Sequence, residues 1–218
     1  MGVKIITVCN QKGGAGKTTL SMHLAGALAR RGNRVLVVDA DPQSTATRWA
    51  ASADDAQPFP ASVVGLSAAD AKVHREVQKF AANYDFIVID CPAAADSPVP
   101  HSALLISDIA LVPIIPSPPD MWAAVGIRRV IESVSTVRES LKARLVVNQC
   151  QPNTNLAKKV LDILPEFKMQ VCRTQINQRV AYRKAAGFGS TVHTLGASAT
   201  DAINEVESLT DEVLEIVS

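Results

Sequence analysis

The sequence predicts a doubly wound α/β fold, a mostly parallel twisted sheet flanked by helices. Three observations carry that expectation. Short apolar runs alternate with amphipathic stretches along the chain, the pattern of strand–helix–strand units joined by right-handed crossovers. Several runs are apolar at consecutive positions, as at Val35–Val38 and Phe86–Ile89, which suits strands buried on both faces. Finally, 47% of the residues are apolar and only 4% aromatic, so the core must be built largely from Ala, Val, Leu and Ile.

A length of 218 residues allows one such domain with a full core, and one domain over residues 1–218 is expected. Strands are expected at Lys4–Cys9, Arg34–Asp39, Asp85–Asp90, Ile109–Ile115, Ala143–Asn148 and Lys168–Cys172. Helices are expected at Lys17–Arg31, Ala69–Ala82, Asp120–Arg138, Leu156–Leu164 and Ala199–Val217. In the first helix Leu20, Leu24 and Leu28 recur every fourth residue and mark an apolar face. Residues Ser52–Ser67 read as a loop with room for one short strand, and the proline-rich Cys91–Pro100 as irregular.

Charge and cysteine usage narrow the function. The formal net charge is +1, so attraction to nucleic acid would need a local patch. Cys9, Cys91, Cys150 and Cys172 are widely spaced and form no metal-ligand cluster; they read as small buried hydrophobes in a reducing compartment. The start MGVKIITVCNQKGG lacks the pattern of a signal peptide, and no apolar run approaches the roughly 20 residues of a membrane span. A cytoplasmic protein is expected. His23, His74, His101 and His193 are scattered, with no nucleophile pattern near them, so covalent catalysis is not indicated.

The strongest signal follows the first strand. Asn10-Gln11-Lys12-Gly13-Gly14-Ala15-Gly16-Lys17-Thr18-Thr19 joins that strand to a helix. Glycines let successive N–H groups converge on one phosphate, and the helix N-terminus adds its positive end. Lys17 would reach the β/γ oxygens and the Thr18 hydroxyl would ligate Mg²⁺. The standard pattern has Gly where this chain has Gln11, and a second lysine, Lys12, opens KGGAGKTT.

That variant resembles the deviant P-loop of the ParA/MinD superfamily, and the chain is most similar to the ParA-type partition ATPases. The resemblance implies that Gly13 to Thr19 hold ATP or ADP with Mg²⁺, and that Lys12 crosses a homodimer interface to the partner's nucleotide. Two strands end in carboxylates, Val38-Asp39-Ala40-Asp41-Pro42 and Ile89-Asp90-Cys91-Pro92, at the sheet edge where the P-loop lies. Asp90 fits the role of holding Mg²⁺, directly or through water. By resemblance Asp41 would orient the attacking water and Asp39 support the metal's water shell, with the choice between the two left open.

Further matches extend the resemblance over most of Met1–Val192. Val112–Ala123 looks like the family's strand-to-loop segment. Arg173–Arg179 with Gly187-Phe188-Gly189 is similar to its late, DNA-contacting region. Asn148 is the adenine contact that family position implies. The P-loop begins within ten residues of Met1, as in short partition ATPases without a helix-turn-helix, which implies no sequence-specific operator binding.

Charge patterning adds to this. Seven basic residues against two acidic ones fall between Lys158 and Lys184, whereas Gly196–Ser218 holds six acids and no Lys or Arg. With the resemblance, Arg179, then Arg183 and Lys184, become candidates for backbone contacts to duplex DNA, independent of sequence and weakened by salt. The expected protein is a slow ATPase whose ATP-bound dimer sits on the nucleoid, with a ParB-like adaptor that stimulates hydrolysis and carries a plasmid, chromosomal or other cargo. Two alternatives differ in class. A MinD-like membrane ATPase would need a basic amphipathic C-terminal helix, and this one is acidic. A metabolic or metal-cluster P-loop enzyme would need paired cysteines or a substrate pocket.

Overall fold

The computed structural model describes residues 2–151 and 167–218. Six strands form one parallel sheet in the order β3-β2-β4-β1-β5-β6. They are β1 Lys4–Val8, β2 Val35–Asp39, β3 Ser62–Gly65, β4 Phe86–Asp90, β5 Ile109–Ile114 and β6 Lys142–Val147. The helices are α1 Lys17–Arg30, α2 Thr45–Ala51, α3 Val73–Gln78, α4 Val99–Leu104, α5 Pro118–Ser135, α6 Val180–Gly187 and α7 Thr200–Val217.

Consecutive strand residues feed two cores. Ile6, Val8, Val37, Val88 and Leu111 face α1 and α7 on one side, while Ile5, Val38, Ile89, Val112 and Val147 face α3, α4 and α5 on the other. This is why the inner strands show no polar alternation: β2, β4 and β5 are buried at every position. All four cysteines are buried free thiols. Burial is the main cause that raises Cys9 and Cys172 to about 12, so they pack rather than react.

Most of the expected elements are present within a residue or two, and the differences have local causes. The helix expected at Ala69–Ala82 is a 3₁₀ stretch, Ser67–Lys72, then the short α3, because Asp70 takes a left-handed φ of 46°. The segment Cys91–Pro100 is not irregular throughout: α4 starts at Val99, and Pro100 lies in its first turn, where no N–H is needed. Lys168–Cys172 makes a single bridge, Val171 to Leu145, rather than a strand; Lys168 itself has a left-handed φ of 53°. The helix expected at Leu156–Leu164 lies outside the described residues. No described helix is long and apolar enough to cross a membrane.

The strand register builds the site. Asp39 and Asp90 are direct partners in β2 and β4, and Val8, the last residue of β1, pairs with Asp90 on one side and Leu111 on the other. The C-terminal ends of β2, β4 and β1 therefore meet where the Gly-rich loop leaves the sheet.

Candidate functional site

The loop closes into α1 at Gly16, whose φ is 88°, and the carbonyl of Gly16 accepts from Leu20 N–H at 2.9 Å. A side chain there would be blocked: an added Cβ would lie 2.2 Å from Asn148 Nδ2. Asn148 extends β6 and is 4% exposed. Its amide donates to the carbonyl of Ala15 at 2.7 Å, and the amide of Gln149 donates to Gly14 at 2.8 Å. The edge of the sheet thus pins the loop's backbone from below and leaves its N–H groups for a ligand.

The first turn of α1 faces the strand-end acids. Thr18 Oγ1 donates to Asp90 Oδ2 at 2.6 Å, and Ser21 Oγ to Asp90 Oδ1 at 3.3 Å. Lys17, 6% exposed, donates from Nζ to the carbonyl of Lys12 at 3.1 Å. Burial pulls the Lys17 ammonium below its ordinary pKa, against the opposing pull of Asp90 and Asp41. Burial likewise pushes Asp90 up to about 7; the neighbouring charge of Asp39 raises it further, while the Thr18 hydroxyl and Lys17 hold it down. Two buried carboxylates against one buried ammonium form a site that gains from an added cation.

The donor set suits Mg²⁺. Thr18, Asp90 and Asp39 offer only hard oxygens. Among the described residues no group of three or more His, Cys, Asp or Glu forms a complete cage. Mg²⁺ does not need one, since it keeps several waters and takes phosphate oxygens.

Asp39 and Asp41 differ in their surroundings. Asp39 is 1% exposed and both its oxygens are engaged: Oδ2 accepts from Thr47 N and Oγ1 at 2.8 and 2.9 Å, and Oδ1 from Asp41 N at 3.3 Å. Asp41 is half-buried on the following loop, where Oδ1 accepts from Gln43 N at 2.8 Å.

Lys12 takes a partner that the sequence pattern does not reveal. Its Nζ lies 2.6 Å from Oδ2 of Asp120, in the first turn of α5 of the same chain. Ser117 also bonds that oxygen, and Oδ1 of Asp120 is buried with no hydrogen-bond partner. Gln11, where the standard loop has Gly, packs against Gly126 of α5. Both departures from the standard pattern therefore dock the loop on α5. Asp120 is the site residue missed in the sequence; its only signal was its place in the Val112–Ala123 segment.

Beside the loop opens a cleft of about 240 Å³, walled by Gly16, Thr19, Asn148, Asn177, Arg179 and Tyr182. Arg179, expected as the first DNA contact, is paired with acids of α7. It donates from Nε to Glu205 at 2.8 Å and from an NH group to Asp201 at 2.9 Å. Arg173 similarly meets Glu215 at 2.5 Å. The basic segment and the acidic α7 thus partly neutralise each other, while Arg183 and Lys184 stay exposed on α6.

A strand, a phosphate-cradling loop and a helix aimed at buried strand-end acids define a P-loop nucleotide-binding protein. Residues 6–192 match the CobQ/CobB/MinD/ParA nucleotide binding domain, and the chain belongs to that family, whose ParA and MinD branches are ATPases. It is similar to the maintenance of carboxysome distribution protein A of Halothiobacillus neapolitanus, at 33% identity over 212 residues, covering 96% of this chain and 95% of that one. It is also similar to the sporulation initiation inhibitor protein Soj of Bacillus subtilis, at 27% identity covering 87% of this chain and 90% of that one. In fold it resembles a Cyanothece McdA variant solved with ATP, with a TM-score of 0.81, 16% identity, and coverage of 97% and 96%.

Proposed function

We propose that this chain is a nucleotide-switched positioning ATPase whose ATP-bound homodimer holds duplex DNA without sequence preference and releases it on hydrolysis. The observation that carries the reading is the 2.6 Å bond from Thr18 to the buried Asp90 at the mouth of the loop, the arrangement a Mg²⁺–nucleotide complex needs. Lys17 and the N–H groups of Gly13 to Thr19 bind the phosphates. Thr18 and Asp90 hold Mg²⁺, with Asp39 behind them. Because both oxygens of Asp39 are engaged, Asp41 is the carboxylate that orients the attacking water. Asn148 turns its amide nitrogen to Ala15, and its oxygen accepts from the exocyclic amine of adenine.

The dimer forms when Lys12 leaves Asp120 and reaches the partner's phosphates. Trp122, 74% exposed and two residues beyond Asp120, presents apolar surface that a second copy covers. Unassisted turnover is slow, and an adaptor protein on the cargo accelerates it. The similarity to a carboxysome distribution protein along the whole chain favours a protein assembly over a DNA locus as cargo. A MinD-like membrane role fits less well, because α7 is acidic and buries Val206, Leu209, Val213 and Val217 against the core.

Binding to random-sequence duplex DNA tests this reading, with no nucleotide, ADP, ATP or a non-hydrolysable analogue at two salt concentrations. Binding only with the triphosphates, weakened by salt and by Arg183→Ala with Lys184→Ala, is expected. Absence of binding in every condition removes DNA as the track.

A further inference from the structure

The cleft beside the phosphate loop is walled on its far side by the loop Ile176–Arg179 and by α6. Backbone bonds hold the loop to the end of β6: Ile176 N–H donates to Val147 at 2.9 Å and Gln178 N–H to Cys150 at 2.9 Å. Asn177 and Arg179 of this loop and Tyr182 of α6 share one carboxylate of α7. Glu205, whose side chain is 11% exposed, accepts from Asn177 N at 3.2 Å, Asn177 Nδ2 at 2.7 Å, Arg179 Nε at 2.8 Å and Tyr182 Oη at 2.8 Å. Those three residues line the cleft, whereas none of Glu205's bonds goes to the phosphate loop.

The bond to Asn177 has a chemical consequence. The bond from Nδ2 to Glu205 fixes which end of the amide meets that carboxylate, and Asn177 Oδ1, at the other end, is buried with no hydrogen-bond partner. Asn177 lines the cleft, and a buried acceptor left unmade is a costly arrangement that a donor reaching it relieves.

We propose that Glu205 is the positioning residue of the nucleoside half of the site: it fixes Asn177, Arg179 and Tyr182 together and turns Asn177 Oδ1 into an acceptor for an N–H or O–H donor of the nucleoside. This rests on the reading that the cleft takes ATP. Glu205 itself touches neither phosphate nor reacting atoms, so its effect belongs to nucleoside affinity and not to the chemical step.

The test compares ATP with inorganic tripolyphosphate, which engages the loop alone, by calorimetric titration of the full chain. Wild type is expected to bind both. Glu205→Ala is expected to weaken ATP about tenfold or more, while tripolyphosphate stays within about twofold. KM for ATP rises in parallel with unchanged kcat at saturation. Asp201→Asn, which breaks only the outer pair of Arg179, leaves ATP affinity near wild type. If Glu205→Ala does not fold, Tyr182→Phe keeps the ring and removes one bond to Glu205; a loss of about threefold for ATP alone is then expected. Unchanged ATP affinity in the folded variants, or equal loss of both ligands, overturns the assignment. Wild type that binds tripolyphosphate but not ATP removes the nucleotide reading beneath it. Two analogues identify the donor: 2′-deoxy-ATP lacks the ribose hydroxyl and purine riboside triphosphate the exocyclic amine. One of them is expected to bind wild type and Asn177→Ala alike; if neither does, Asn177 is not the acceptor.

Discussion

Replacing Gly16 by Ala strains the phosphate loop in two separable ways. The backbone at φ 88° costs an L-residue roughly 1–2 kcal/mol. The new methyl would also stand 2.2 Å from Asn148 Nδ2, which cannot swing aside cheaply because it is buried and bonded to Ala15 at 2.7 Å. Displacing it forfeits a buried hydrogen bond, a further 1–3 kcal/mol or so. Gly16→Ala should therefore destabilise the protein by about 2–5 kcal/mol in urea unfolding and weaken ATP by more than about tenfold. In an Asn148→Ala background the same change should cost only about 1–2 kcal/mol, because the backbone term remains and the collision does not. An equal cost in both backgrounds, or a cost below about 0.5 kcal/mol in the wild type, would refute the argument.

Other perturbations probe the rest of the site. Gly126→Ala brings a methyl 1.9 Å from Gln11 Oε1, so ATP affinity should fall about fivefold with little net change in stability, and Gln11→Ala should restore it. Lys12→Ala should stay monomeric with ATP in light-scattering chromatography while still binding it, and Asp120→Asn should dimerise at least as readily as wild type; dimers of Lys12→Ala would exclude the cross-subunit role. His23 is fully buried edge-on to Trp49 and Tyr182, and burial lowers its pKa from 6.5 to about 3, with His193 adding to the effect. Its neutral form is favoured by folding, so stability is complete above pH 6.5 and falls as pH drops below it, by about 2 kcal/mol at pH 5. His23→Leu should flatten that decline in thermal melts between pH 7 and 5; an unchanged slope assigns it to other groups.

The parts of this protein visible in its sequence are those set by short-range pattern. Consecutive apolar residues ending in Asp39 and Asp90 marked strands buried on both faces, and the glycines before Lys17 marked the loop, because both signals lie within ten residues. What stayed hidden depends on pairs far apart in the chain. The link between Lys12 and Asp120 spans 108 residues, and that between Arg179 and Glu205 spans 26. Counting charge over Lys158–Lys184 and Gly196–Ser218 separately treated as two surfaces what α7 partly folds into ion pairs. Asp70, with a left-handed φ inside an otherwise helical pattern, shows the same limit at short range: apolar periodicity does not report a break in the backbone.

The central claim is that Lys17, Thr18, Asp90 and Asp41 form a Mg²⁺-dependent ATP hydrolysis site. Phosphate release from ATP by the purified chain tests it most directly, with and without Mg²⁺, beside Lys17→Ala and Asp41→Ala. Slow, Mg²⁺-dependent release is predicted, lost in Lys17→Ala together with ATP binding and lost in Asp41→Ala with binding retained. Release that persists in Lys17→Ala, or wild type that releases no phosphate with Mg²⁺, DNA and cargo adaptor present, would contradict it.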